Sequence, residues 1–193
     1  MNELRDKLMI ITANIMALIV TLYSENISYL LLFYWVENGV VGLFNVLRIF
    51  TCGQNRVAKF IYTPIFVVIY TAFMFGYFLF LVFLLQMIGE NNVMTFSGIS
   101  TIIIGVVVLL LIHGARFVGD ETSGQLKDSG PEKYIMRPYF RIIVMHLTII
   151  AGTLLYFKLD KPFYIILLII ALKTSVELYF ENDHTINSTV QRI

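Results

Sequence analysis

Tyr34-Trp35-Val36-Glu37-Asn38-Gly39-Val40-Val41-Gly42-Leu43-Phe44-Asn45-Val46-Leu47-Arg48 decides what kind of protein this chain is. It sets a carboxylate and two amides inside an apolar run long enough to cross a bilayer. An ionisable side chain at such depth costs about 2.5–3.5 kcal/mol on insertion scales, so it needs a partner or a purpose. The surrounding chain has the composition of a membrane protein. Of its 193 residues 58% are hydrophobic and 14% charged, and the mean hydropathy is +0.80. A soluble domain carries about 25% charged residues. Several runs here reach the roughly 18–20 apolar residues that span hydrocarbon. Residues 1–193 therefore read as a single integral membrane domain of the all-α class, a multi-pass protein of the cell membrane whose first partner is the lipid bilayer.

Two function classes drop out early. A net charge of +1 supplies no basic field for nucleic acid. The single cysteine, Cys52, allows no intrachain disulfide and matches no zinc-ligand spacing.

Hydropathy and turn signals predict six transmembrane helices, at about 8–23, 27–50, 60–87, 97–118, 138–157 and 162–180, with a polar loop over about 119–137. The first is the shortest, and Thr12, Asn14 and Thr21 lower its hydrophobicity. Arg5 and Lys7 ahead of it also suit a signal peptide, but no small-x-small cleavage site follows, so it reads as an anchor helix. The third carries no charge between Lys59 and Glu90, which marks it as a lipid-facing and packing helix, with Pro64 in its first turn. Lys/Arg asymmetry sets the orientation. With a cytoplasmic N-terminus, that side takes Arg5, Lys7, Arg48, Arg56, Lys59, Arg116, Lys127, Lys133, Arg137 and Arg192, against Lys158 and Lys161 on the other. Both termini are then cytoplasmic.

At about 1.5 Å per residue, this topology gathers the polar groups of four spans into one slab. Glu37 and Asn38 fall near the midplane, with Asn45 toward the cytoplasm; His113 lies in the cytoplasmic half of span four. Arg141 is near the surface with His146 two turns deeper, and Lys173 and Glu177 are four apart on span six. Charged groups in lipid turn toward the bundle interior. The simplest packing thus places Glu37, Asn45, His113, Arg141, His146, Lys173 and Glu177 around one pocket. Blander roles stand beside this one. Asn38 and Asn45 serve as interhelical hydrogen-bond glue next to Gly39 and Gly42, Arg48 and Arg116 snorkel to headgroups, and Lys173 and Glu177 neutralise each other.

Tyr34-Trp35-Val36-Glu37-Asn38 with Gly42 and Asn45, His113 with Phe117, Arg137-Pro138-Tyr139-Phe140-Arg141-Ile142, and His146 resemble a family of small prokaryotic multi-span membrane proteins catalogued as a domain of unknown function. The resemblance covers most of the chain through four spaced motifs. It implies a multi-span membrane protein and supplies no reaction. The chain departs from that pattern at Arg116, where a small residue is expected, and near Glu177 and Glu181, where aspartate and histidine are expected. A metal held there in the family would meet different ligands here.

Three functions fit these residues. The first is binding or translocation of a small solute or ion, with Glu37 and a histidine as proton carriers. The second is an intramembrane enzyme using a divalent metal on His113, His146, Glu37 and Glu177, although no two of them have His-Glu-x-x-His spacing. The third is an assembly subunit whose polar groups only specify helix packing. Distance separates them: a shared site requires these side chains to converge.

Overall fold

A computed structural model of the chain describes residues 2–24, 27–53, 56–88, 96–124 and 126–127, and beyond these 134, 139, 142–143, 146–147, 149–151, 167–175 and 178. Four long helices carry most of it: α1 (Asn2–Ser24), α2 (Ile27–Thr51), α3 (Arg56–Ile88) and α4 (Phe96–Thr122). Residues 167–175 add a further helical stretch. α2 packs against all three of the others, and α1 also packs on α4. Its central place shows in its burial. Within its most apolar window 61% of α2 is buried, against 28% for α3 and for α4. Ala13, Ala17 and Val20 of α1, Leu30, Phe33 and Phe44 of α2, Tyr77 and Leu81 of α3, and Leu109 of α4 share one core.

Among the described residues three helices are long and apolar enough to cross a membrane: Ser28–Thr51, Val57–Gln86 and Gly98–Thr122. The outer faces of α3 and α4 are those of lipid-bathed helices, with Phe75, Val68 and Leu111 exposed. The chain is a multi-pass, α-helical integral membrane protein. It is not the six-pass bundle that hydropathy predicts. α1 is one continuous helix, but its apolar part is only Ile10–Leu22. Thirteen residues rise about 20 Å, short of the roughly 30 Å hydrocarbon thickness. Asn14 and Thr21 interrupt that run and are themselves buried in the protein. Of the expected sixth span residues 167–175 are described and helical, and most of the expected fifth lies outside the described residues. The assignment of both termini to the cytoplasm, drawn from Lys/Arg asymmetry across six crossings, no longer has that topology beneath it.

The helix ends also move. α3 begins at Arg56, four residues before the expected Phe60, which places Pro64 inside the helix and not in its first turn. Proline has no N–H to donate, so the Phe60 carbonyl loses its helical partner. At 33 residues α3 would measure about 50 Å, so it tilts or projects beyond the hydrocarbon. α4 continues to Thr122 through what reads in the sequence as the start of a loop. It stops where Gly124 takes φ +75°, a left-handed conformation that costs glycine nothing. The chain then folds back on the end of α2: Leu126 N–H donates to the Asp120 carbonyl, and Gly53 N–H donates to the Leu126 carbonyl.

Polar contacts fix α2 against α3. Trp35 Nε1–H donates to the Met74 carbonyl at 3.0 Å, and the Tyr70 hydroxyl donates to the Asn38 carbonyl at 2.7 Å. Gly42 makes the second contact possible, because a Cβ there would lie 2.1 Å from Tyr70 Cε1. α3 thus packs on α2 along one side and presents Val68 and Phe75 outward on the other.

Candidate functional site

Glu37 lies nine residues after Ser28 and fourteen before Thr51, near the middle of its membrane-crossing segment. Its partner is Lys173, from the helical stretch 167–175. Lys173 Nζ is 3.1 Å from Glu37 Oε2 and donates to Oε1 at 3.3 Å. Both side chains are 1% exposed. The ammonium also donates to Asn14 Oδ1 at 3.2 Å and lies 4.6 Å from the centroid of the Tyr34 ring. Asn14 is oriented for this role by its own helix, since its Nδ2–H donates to the Ile10 carbonyl at 2.8 Å and leaves Oδ1 to accept. A carboxylate, an amide oxygen and an aromatic face thus surround one ammonium.

Tyr77 of α3 extends the group. It is fully buried, its charge-bearing oxygen is within electrostatic reach of Glu37, and among the described residues its hydroxyl has no hydrogen-bond partner. His146 packs against the Tyr77 ring, with centroids 4.9 Å apart. Its Nδ1 meets the Ile142 carbonyl at 2.8 Å. A carbonyl can only accept, so Nδ1 carries the hydrogen and donates it. Half-buried His146 thus packs on buried Tyr77, which is in turn within electrostatic reach of buried Glu37.

The other expected members are elsewhere or outside the described residues. His113 stacks on Phe44, ring centroids 5.9 Å apart. Phe44 is seven residues along α2 from Glu37, about 10 Å by helical rise. Asn45 is buried and back-bonded to the Val41 carbonyl at 2.8 Å. Arg141 and Glu177 lie outside the described residues. Among the described residues no three His, Cys, Asp or Glu side chains come together to hold a metal ion. Asn38 binds within its own helix through Nδ2–H to the Tyr34 carbonyl, and its backbone carbonyl is the acceptor between helices.

Arg48 does not snorkel. It is 6% exposed, with NH2 3.3 Å from Asp120 Oδ2 and Nε–H donating to the same oxygen at 3.4 Å. This second ion pair ties the end of α2 to the end of α4.

Asn14, Tyr34 and Tyr77 were not among the candidates drawn from the sequence. A signal was there for two of them. Asn14 interrupts an apolar run as Asn38 does, and a tyrosine deep in a crossing helix needs a home for its hydroxyl. Asp120 as the partner of Arg48, 72 residues away, left no local trace.

The chain belongs to a family of unknown function (DUF6498), whose profile matches residues 2–191. No curated protein and no solved structure matches it.

Proposed function

We propose that this member of the family binds or translocates a small ion at the Glu37–Lys173 pair, with a proton as the coupling or transported species. One observation carries the proposal: a carboxylate and an ammonium, each 1% exposed, paired at 3.1 Å near the middle of a membrane-crossing segment. A buried pair is weak evidence for stability, because desolvating two charges costs several kcal/mol per ion. Ionisable groups kept at such depth mark ion and proton pathways. The pair can exchange what it holds. A proton arriving on Glu37 cancels the carboxylate and releases Lys173, and loss of that proton restores the pair. His146 and Tyr77 supply the adjoining groups.

The test is proton flux into proteoliposomes carrying an internal pH dye. Wild type is expected to dissipate an imposed gradient, and Glu37→Gln to lose that flux. The double variant Glu37→Gln/Lys173→Met, which leaves no unpaired charge, is expected to fold and also to be inactive. Identical traces for wild type and Glu37→Gln sink the proposal.

A second function has its own support. Lys173 hydrogen-bonds to α1 through Asn14 and to α2 through Glu37, so the same ammonium holds three segments together. If packing were its whole role, the folded double variant would behave as wild type in every functional assay.

A further inference from the structure

We propose that the groove between the end of α2 and the beginning of α3 is a site for one anionic phospholipid. The groove has a volume of about 610 Å³ and is lined by Phe50, Lys59, Phe60, Thr63, Pro64 and Val67. That falls in the range of about 300–1,000 Å³ for small-molecule sites, enough for a headgroup and the upper part of an acyl chain. Its walls are apolar and open outward: Phe50 is 64% exposed and Phe60 76%. Its depth in the bilayer follows from the helix it lies on. The crossing segment of α3 starts at Val57, so Lys59 is at the membrane boundary and Thr63 one turn further in. Among the described residues no carboxylate pairs with Lys59. An unneutralised ammonium at that level attracts anionic headgroups.

Thr63 gives the independent sign of a ligand. Threonines in these helices return their hydroxyls to the carbonyl four residues back, as Thr12, Thr21, Thr51, Thr122 and Thr174 all do. Thr63 does not. Its Oγ1 is buried and has no hydrogen-bond partner among the described residues. An unsatisfied buried hydroxyl is costly, and a turn of the Thr63 side chain toward the groove it lines would let a phosphate or glycerol oxygen accept from it. The Phe60 carbonyl, deprived of its donor by Pro64, is an acceptor for a headgroup hydroxyl. Cation, donor and acceptor at one boundary, with phenylalanines facing the hydrocarbon, match a phosphate-bearing amphiphile of negative charge.

Native mass spectrometry of the full chain in mild detergent, titrated in parallel with phosphatidylglycerol and phosphatidylcholine of equal chain length, tests this. Wild type is expected to retain phosphatidylglycerol about fivefold better, the weight of roughly one lysine at an anionic surface. Lys59→Gln should bring the two lipids to parity. Thr63→Val should lower phosphatidylglycerol retention at least twofold, and Lys127→Gln, an exposed lysine outside the groove, should change nothing. Inorganic phosphate should not compete, since it lacks the chain. Equal retention of both lipids by wild type overturns the proposal. So does a preference that survives Lys59→Gln and disappears with Lys127→Gln, which would make it diffuse surface charge.

Discussion

Removing the ammonium from the central ion pair should be among the most damaging single changes in this protein, and removing both charges should repair it. The magnitude follows from the geometry. At the observed 3.1 Å, two unit charges attract by about 5 kcal/mol with an effective dielectric constant near 20. Lys173→Met forfeits that attraction and the bond to Asn14, and it leaves Glu37 to be protonated or stranded in an environment that is 1% exposed. Breaking one side of a buried pair costs about 3–5 kcal/mol, whereas replacing both sides by groups of similar volume is often neutral or stabilising. Glu37→Gln alone, which keeps Lys173 charged and unpaired, should cost a similar amount. The assay is a double-mutant cycle on reversible unfolding in mixed micelles, followed by circular dichroism. A coupling energy of about 3 kcal/mol or more is expected, with Glu37→Gln/Lys173→Met close to wild type. If the two losses simply add to within about 0.5 kcal/mol, the side chains do not interact and the pairing is refuted.

Three further outcomes are expected. Gly42→Ala should destabilise by about 1–3 kcal/mol, because its Cβ would lie 2.1 Å from Tyr70 Cε1; Tyr70→Phe, which only removes the bond to the Asn38 carbonyl, should cost about 0.5–1.5 kcal/mol in the same unfolding assay. Asp120→Ala should cost about 3–5 kcal/mol by leaving Arg48 buried without its carboxylate, and Arg48→Met/Asp120→Leu should recover most of it. Cys52 is fully buried, donates its S–H to the Ile49 carbonyl, and burial pushes its thiol above the ordinary range, with nearby Lys59 opposing. At pH 8.5, where a free thiol is about half ionised, native protein should therefore react with maleimide at least tenfold more slowly than denatured protein; equal rates would contradict that burial.

The class and the importance of the second helix were legible in the sequence because both depend on local content. Apolar runs and one carboxylate among them need no neighbour to be read. Lys173 stood among the residues expected around one pocket with Glu37, since it too was a charge in an apolar run. What was not legible is tertiary. Hydropathy counted α1 as a crossing because it weighs each run by itself. Asn14 is acceptable in α1 because Lys173 covers it, a fact with no mark within 150 residues of Asn14. Arg48 read as a headgroup anchor for the same reason: its position near a helix end is visible, and Asp120 across the bundle is not. His113 and His146 look alike as isolated histidines in apolar runs, yet one stacks on Phe44 and the other packs on Tyr77, which is within electrostatic reach of Glu37.

The distribution of contacts along α2 bears on how a site at Glu37 could open. α2 is tied to α3 at Trp35–Met74 and Asn38–Tyr70, on either side of Glu37 in sequence. It is tied to α4 at Arg48–Asp120, eleven residues and about 16 Å further along the helix. Sliding or rotating α2 would strain all three ties at once, two of them with no water to replace the lost partner. Among the described residues the segment 167–175 is joined to the same core by Ile169, Ile170 and the ammonium of Lys173. Protonation of Glu37 removes the electrostatic part of that joint and leaves the α2–α3 and α2–α4 ties intact. On the proposed function, exchange would act on the Lys173 side, with α2 as the fixed wall, and the carboxylate would sit on the helix with the most buried crossing segment among those described.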